Sequence, residues 1–288
     1  MAPPATPPPY RGRLAPSPTG HLHLGHARTF WTAQRRARQE HGTLILRMED
    51  LDGPRCKPEF ARAALEDLKW FGFEWSEGPD CGGPFASYNQ SERINHYRAA
   101  FESLRAGNFI YPCNCSRKDI QYAATAPHAE DGEPIYPGTC RQRQKESPKV
   151  ARDLSAKPQP NWRFRVADGE AVEFVDARCG PQRFVAGRDF GDFPVWRHDD
   201  LPSYQLAVVM DDAVMKITEV VRGEDLLLST ARQLLLYRAL NLTPPAFYHC
   251  PLMRDEKGER LAKRHDALSL LTLRERGAAP EEVRRGWD

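Results

Sequence analysis

Residues 12–26 read GRLAPSPTGHLHLGH, and the rest of the chain is organised around them. A short apolar run, Arg13-Leu14-Ala15, breaks at Pro16 and Pro18, where φ is fixed and backbone donors are missing. The chain then turns at Thr19-Gly20 and reaches His23-Leu24-Gly25-His26. The residues from Ala27 to about Glu40 follow with helical spacing. Strand, turn and helix in that order place the two histidines at a helix N-terminus. There, unpaired N–H groups and the positive end of the dipole favour an anion such as a phosphate. The Gly-x-x-x-x-Gly-Lys-Ser/Thr pattern of a P-loop is absent. A different nucleotide site is expected, in which His23 and His26, with Gly25 between them, hold the phosphates of ATP. Taken alone, a His-x-x-His pair also fits a surface or core pair, or a metal site together with His21.

The chain has 288 residues, of which 40% are hydrophobic, enough for one large domain or two small ones. The net charge of +2 excludes a globally basic protein, so any nucleic-acid contact must come from a local patch. No apolar run approaches the ~18 residues of a membrane span. The opening MAPPATPPPY has no basic start and no apolar stretch. It reads as a disordered Pro-rich tail over 1–10, not a secretory signal. Seven cysteines are an odd number; with no signal they point to a reducing compartment, thiols free or on a metal, and a cytoplasmic protein.

In the first helix Phe30, Trp31, Ala33, Gln34 and Ala37 supply the packing side. Arg28, Arg35, Arg36 and Arg38 form a solvated face, and only secondarily a nucleic-acid contact. Gly42 is expected to cap the helix. The apolar run 43–48 predicts a buried parallel strand that delivers Glu49, Asp50 and Asp52 at its C-terminal end, the edge where open α/β sheets bind ligands. Glu49 there is a candidate partner for an ammonium group; Asp52 fits a helix-capping acid. Helices are predicted over 58–71 and from Ser91 to Gly107. Apolar runs at 204–212 and 217–225 end in charged residues and predict two more buried strands. Thr230 and Gln233 predict a capping box for a helix over 231–240. Alternating helices and strands give an α/β class with a parallel sheet.

The segment 111–165 breaks this pattern. Cys113, Cys115 and Cys140 suggest a zinc site. A closed structural site needs a fourth ligand, and both His128 and Tyr136 lie between the cysteine groups. A zinc ion would stabilise a loop too polar to fold by burial. Cys56, Cys81, Cys179 and Cys250 are isolated. A basic stretch follows, with Arg141, Arg143, Lys145, Lys149, Arg152, Lys157, Arg163 and Arg165; it fits a phosphate-tracking surface or a solvated linker leading into a strand. Alternation in 162–166 and 171–176 suggests a hairpin turning at Asp168-Gly169. The region 109–196 reads as an insertion between two sheet halves.

The string Arg13-Leu14-Ala15-Pro16-Ser17-Pro18-Thr19-Gly20 followed by His23-Leu24-Gly25-His26 resembles the signature of class I glutamyl-tRNA synthetases. Met48-Glu49-Asp50-Leu51-Asp52, Tyr204-Gln205-Leu206-Ala207 and Arg222-Gly223-Glu224-Asp225 resemble further parts of that family. Arg260-Leu261-Ala262-Lys263-Arg264 looks like a degenerate Lys-Met-Ser-Lys-Ser loop in which Lys263 is the full match. Ala262 and Arg264 have lost the hydroxyls, which puts hydroxyl contacts to ATP in doubt. The Cys-x-Cys…Tyr-x-x-x-Cys arrangement is similar to that of the glutamyl-queuosine branch, and it implies Tyr136 as the fourth metal ligand.

The resemblance implies a Rossmann-like parallel-sheet nucleotide-binding core with a zinc-containing insertion and a short C-terminal helical segment. The expected boundaries are 11–108 and 197–245 for the catalytic halves, 109–196 for the insertion, and 246–288 for the Lys263 loop and helical segment. It implies activation of L-glutamate with ATP, Mg²⁺ on the phosphates, and His23, His26 and Lys263 as the catalytic groups. Arg13 would hold the side-chain carboxylate in a bidentate fork, Ser17 would add a hydrogen bond, and Glu49 would take the α-amino group. Tyr204 and Arg222 would lie against the bound amino acid; read alone, Arg222 also fits an ion pair with Asp225. After Lys263 the chain runs only to Asp288, leaving no room for a large anticodon-binding domain. A shortened core with the Cys-x-Cys…Tyr-x-x-x-Cys segment resembles the glutamyl-queuosine branch, and that resemblance implies the queuosine base of tRNA(Asp) as the acceptor; a monomer is expected. A truncated synthetase charging a tRNA 3′ end, a non-catalytic synthetase-derived binding protein, and a histidine-based metal hydrolase are the alternatives.

Overall fold

The computed structural model describes residues 8–116, 135–146, 159–253 and 269–287. Strand β1 (Arg11–Leu14) leads through the Pro-rich turn into helix α1 (Leu24–Gln39) and back to β2 (Thr43–Leu46), which pairs parallel to β1 with Arg13 opposite Ile45. Helix α1 begins at Leu24, earlier than its apolar spacing suggested, because His23 itself is the N-cap. Helix α2 (Pro58–Phe71) matches its predicted bounds: Pro58 pre-sets the first turn, and Gly72, at φ 90°, takes the left-handed position at its end. Helix α3 (Ile94–Ala106) closes the first half, with Gly107 as its cap.

Gly42 is not the cap of α1. Glu40 is, and His41 takes the left-handed φ of 48°. Gly42 is needed for close approach instead: a Cβ there would lie 2.5 Å from the Tyr10 carbonyl oxygen. Tyr10 therefore belongs to the folded frame rather than to a tail, and its hydroxyl donates to Glu219 at 2.8 Å.

Next come β3 (Ile110–Cys113), α4 (Thr139–Glu146), β4 (Asn161–Phe164), β5 (Ala171–Asp176), β6 (Gly180–Val185) and β7 (Pro194–Trp196). The expected hairpin between β4 and β5 does not form. Strand β4 lies between β3 and β7 in an antiparallel sheet, and β5 pairs with β6. Asp176 accounts for the difference, because its carboxylate accepts the N–H groups of Arg178 and Cys179 and so builds the β5–β6 turn.

The run 204–212 is helix α5 (Tyr204–Val214), not a strand. It is buried on nearly all sides, so its apolar run has no visible period, and periodicity cannot separate a buried helix from a buried strand. Parallel strands resume with β8 (Glu219–Gly223) and β9 (Ala246–Cys250), joined through helix α6 (Leu227–Ala239). Thr218 N donates to Arg11 O at 2.9 Å, which sets β8 beside β1. Thr230 and Gln233 form no capping box: both are buried inside α6, and the Thr230 hydroxyl bonds back to Leu226 O.

The chain ends in α7 (Leu270–Glu275) and α8 (Pro280–Val283), which return to the first half. Trp287 packs on Phe71, and Arg284 lies over Trp31 and bonds the Phe71 carbonyl. The arginines of α1 are less solvated than expected. Arg36 pairs with Glu219 at 2.6 Å, and Arg35 donates to Trp287 O. One core joins Trp162, Phe164 and Val172 of the central stretch to Leu206 and Leu235 of α5 and α6. Among the described residues no helix is long and apolar enough to cross a membrane.

Candidate active site

A cleft of about 580 Å³ opens at the C-terminal ends of the parallel strands. Its wall brings together Arg13, Ser17, His23, Gly25, His26, Glu49, Tyr204 and Arg222, every site residue named from the sequence that lies in the described core outside the cysteine segment. Lys263 and the rest of 260–264 lie outside the described residues; Leu252 and Met253, which lead towards them, line the cleft. The far end of that segment returns to the same wall, where Leu270 N donates to Leu22 O at 2.7 Å and Ser269 bridges to His23.

The histidines are set by the start of α1. Gly25 N donates to His23 Nδ1 at 3.1 Å, and His23 N donates to His26 Nδ1 at 3.3 Å, so the neutral rings carry their proton on Nε2. The rings stand 3.8 Å apart. A Cβ on Gly25 would meet the His23 ring at 2.9 Å, so glycine is what lets the ring fold over the helix end. His21 is not in this wall: its ring packs edge-on against Phe60. Among the described residues no histidine joins a metal cluster, which removes support from the hydrolase reading.

Beneath the cleft lies a buried charge network that the sequence did not announce. Asp211 accepts from Arg93 at 2.7 Å, Gln90 at 2.8 Å and Tyr97. Asp212 accepts from Arg47 at 2.7 Å, and Arg47 donates to Glu49 at 3.1 Å. Burial works against the Arg47 charge, but Asp212, Asp211 and Glu49 outweigh it and hold the guanidinium well above its ordinary value. Burial pushes the Glu49 carboxyl up, against the pull of Arg47 and Arg13. Arg13 donates to Val221 O at 3.0 Å and reaches the cleft from β1. Asp52 pairs with Arg55 at 3.2 Å on the rim.

Arg222, on β8, forms no ion pair with Asp225. It donates to His249 at 3.2 Å and Thr230 at 2.6 Å, with Tyr204 Oη 3.4 Å away. Burial raises the Tyr204 phenol above its ordinary value. His249 carries no motif and Thr230 fits only a helix-capping pattern, so pattern reasoning places neither beside Arg222.

Outside the residues that line the cleft, the sulfurs of Cys113, Cys115 and Cys140 lie within 4.8 Å of one another. Tyr136 Oη sits 3.4 Å from Cys113 Sγ and 3.6 Å from Cys115 Sγ. His128 lies outside the described residues. Burial pushes the Cys115 thiol up to about 12 and the Tyr136 phenol higher, whereas hydrogen bonds, the one from Tyr136 foremost, outweigh burial and lower the Cys140 thiol. Arg163 donates to Cys113 Sγ at 3.3 Å and stacks over Tyr136. The basic stretch is therefore turned inward where it is described: Arg163 serves the thiols, Arg165 lies over Tyr111, and Arg141 pairs with Asp168. None of the seven cysteines forms a disulfide.

Comparison with known proteins adds four findings. The family model described as the catalytic domain of class I tRNA synthetases (E and Q) matches residues 10–287. The chain is 50% identical over 273 residues to the glutamyl-Q tRNA(Asp) synthetase of Symbiobacterium thermophilum, covering 94% of this chain and 83% of that protein. It is 42% identical over 271 residues to glutamate–tRNA ligase 2 of Nitrosococcus oceani, covering 94% of this chain but 57% of the ligase. The solved glutamate-tRNA synthetase of Elizabethkingia anophelis matches with a TM-score of 0.78 at 32% identity, over 89% of this chain and 53% of that chain. The chain thus spans about half the length of these two ligases and most of the length of the Symbiobacterium protein.

Proposed function

The chain belongs to the class I tRNA synthetases for glutamate and glutamine, and we propose that it activates L-glutamate with ATP and transfers it to the queuosine base in the anticodon of tRNA(Asp). The observation that carries this reading is the convergence of Arg13, Ser17, His23, His26, Glu49 and Arg222 on one cleft at the strand ends. The choice of acceptor follows the relative matched over most of its length rather than the ligases matched over about half.

Activation brings two anions together. A glutamate α-carboxylate oxygen attacks the α-phosphorus of ATP, the bond to the pyrophosphate oxygen breaks, and pyrophosphate leaves. His23 and His26 offer N–H donors to the phosphates, Lys263 adds a positive charge, and Mg²⁺ accompanies the nucleotide. Catalysis is positioning plus electrostatic stabilisation, without a protein nucleophile. Arg13 takes the side-chain carboxylate, Ser17 adds a hydrogen bond, Glu49 takes the α-ammonium, and Tyr204 and Arg222 flank the amino acid. A glutamine amide would leave Arg13 poorly paired, which disfavours it. The glutamyl group then passes to the base and AMP leaves.

The donor set Cys113, Cys115, Tyr136 and Cys140 fits a structural Zn²⁺. Three thiolates and a phenolate around one ion carry excess negative charge, and Arg163 lies where it offsets that charge. The ion would tie β3 to the start of α4 and take no part in the chemistry. The stretches 11–108 and 197–245 act as catalytic halves, 109–196 as the acceptor-facing insertion, and 246–288 as the Lys263 loop with its helical segment.

Labelled glutamate and ATP, with one tRNA pool containing queuosine and one lacking it, test the reading. Label confined to the queuosine pool and surviving removal of the 3′-terminal nucleotide is expected. Equal labelling of both pools, lost with the 3′ end, would make this a synthetase that charges the 3′ end. Absence of glutamate-stimulated ATP–pyrophosphate exchange would leave only binding.

A further inference from the structure

Arg222 presents an unusual pairing. It is buried at 4% exposure and lines the cleft, yet among the described residues no carboxylate forms an ion pair with it. Its partners are neutral groups: His249 Nε2, the Thr230 hydroxyl and the Tyr204 hydroxyl. A guanidinium has only donors, so His249 Nε2 must offer its lone pair. The ring proton is then on Nδ1, and Asp176 Oδ2, which only accepts, stands 2.7 Å from that atom. The tautomer is fixed from both sides. Asp176 is itself held, because its Oδ1 accepts Arg178 N at 3.0 Å and Cys179 N at 2.7 Å. Asp176 and His249 are both wholly buried.

We propose that Asp176 and His249 are positioning residues for glutamate binding: Asp176 holds His249 as the neutral Nδ1–H tautomer, which orients Arg222 without neutralising it and leaves its charge for a carboxylate of the substrate. The imidazole acts as a spacer. It passes on direction from Asp176 but keeps the aspartate's charge one ring away from the arginine. A carboxylate placed directly on Arg222 would orient it equally well but would compete with the substrate anion. Burial, and after it the Arg222 charge, hold the His249 pKa down to about 4, so the ring stays neutral at physiological pH. The inference rests on the reading of the cleft as a glutamate site, and it adds a residue from the β5–β6 hairpin that does not touch the cleft.

The test combines ¹⁵N NMR of the histidine rings with glutamate-dependent ATP–pyrophosphate exchange. In the wild-type protein His249 is expected as the Nδ1–H form. In Asp176→Asn the amide oxygen keeps the turn N–H groups, and its NH₂ faces Nδ1 and the His249 backbone N–H that Oδ2 accepts in the wild type at 3.1 Å. The ring proton must then move to Nε2, where it confronts Arg222. The glutamate KM is expected to rise about tenfold or more, with kcat and the ATP KM within about twofold. His249→Gln offers an oxygen towards Arg222 and an amide donor towards Asp176, so it should keep more glutamate affinity than His249→Leu. An Nε2–H ring in the wild type, or an unchanged glutamate KM in Asp176→Asn, overturns the proposal. If Asp176→Asn does not fold, the wild-type tautomer and the Gln-against-Leu comparison decide. A wild type with no glutamate-dependent exchange overturns the functional reading instead, and with it the purpose assigned to Arg222, whatever the tautomer.

Discussion

Asp212 Oδ1 lies 2.7 Å from Arg47 Nη1, and both side chains are sealed from solvent beneath the cleft. The same oxygen is 3.5 Å from Arg13 Nε, and the other end of Arg47 reaches Glu49. One buried pair therefore ties together the arginine assigned to the substrate carboxylate and the acid assigned to its ammonium. Asp212→Asn leaves Arg47 short of a partner charge. The expected cost is about 3 kcal/mol in urea unfolding, with a raised glutamate KM in the same protein. An unchanged KM would separate this pair from the site.

Arg13→Ala removes the fork itself. Losing a charge-assisted bidentate contact of about 3 kcal/mol lowers kcat/KM for glutamate on the order of a hundredfold. ATP binding, measured by calorimetry, should stay within about twofold. Normal glutamate activation would remove Arg13 from the pocket.

Cys113→Ser takes one sulfur from a set whose members lie within 4.8 Å. Zinc content by elemental analysis should fall well below that of the wild type, and the melting temperature should fall with it. Unchanged metal content would sink the zinc assignment and leave a cluster of buried thiols.

Asp67 is wholly buried on α2, with Arg274 of α7 at 3.3 Å and no hydrogen bond to either carboxylate oxygen. Burial pushes its carboxyl up from 3.8 to about 6. A raised acid binds more protons in the fold than in the unfolded chain, so its contribution to stability is lost as pH rises from about 4 to about 6. Asp67→Asn cannot ionise. Relative to the wild type it should gain about 2 kcal/mol between pH 4 and pH 7. Paired denaturant melts at the two pH values check the sign.

Gly42→Ala places a methyl against the Tyr10 backbone. The expected loss is about 2 kcal/mol, a fall of about 3 °C in melting temperature for a chain of this size. A thermal scan of the variant is sufficient; no change would mean that Tyr10 can give way.

What the sequence made legible was local. The turn at Pro16–Gly20, the two histidines at a helix N-terminus and the Pro58 start of α2 are written within a few neighbouring residues, although α1 opens three residues before Ala27. Helix α5 was not legible because its apolar run meets neighbours on almost every side, and Asp211 and Asp212 look like strand-tip charges until Arg93 and Arg47 are brought to them from more than a hundred residues away. The β5–β6 turn depended on one aspartate serving its own backbone. Eight residues of the cleft wall, from Arg13 to Arg222, are named from the sequence, whereas the support behind them is not. His249, Thr230 and Asp176 meet only after folding and share no spacing.

The hairpin that carries Asp176 also carries Arg178, which bonds the His249 carbonyl and pairs with Glu224. A segment held only by its two chain ends can be traded between relatives as a cassette. This one cannot, because a foreign residue at position 176 meets a histidine 73 positions downstream that was fitted to a carboxylate. Chimeras that exchange 109–196 must therefore carry positions 176 and 249 as one inheritance unit, and a graft that splits them should need a second-site change before it works.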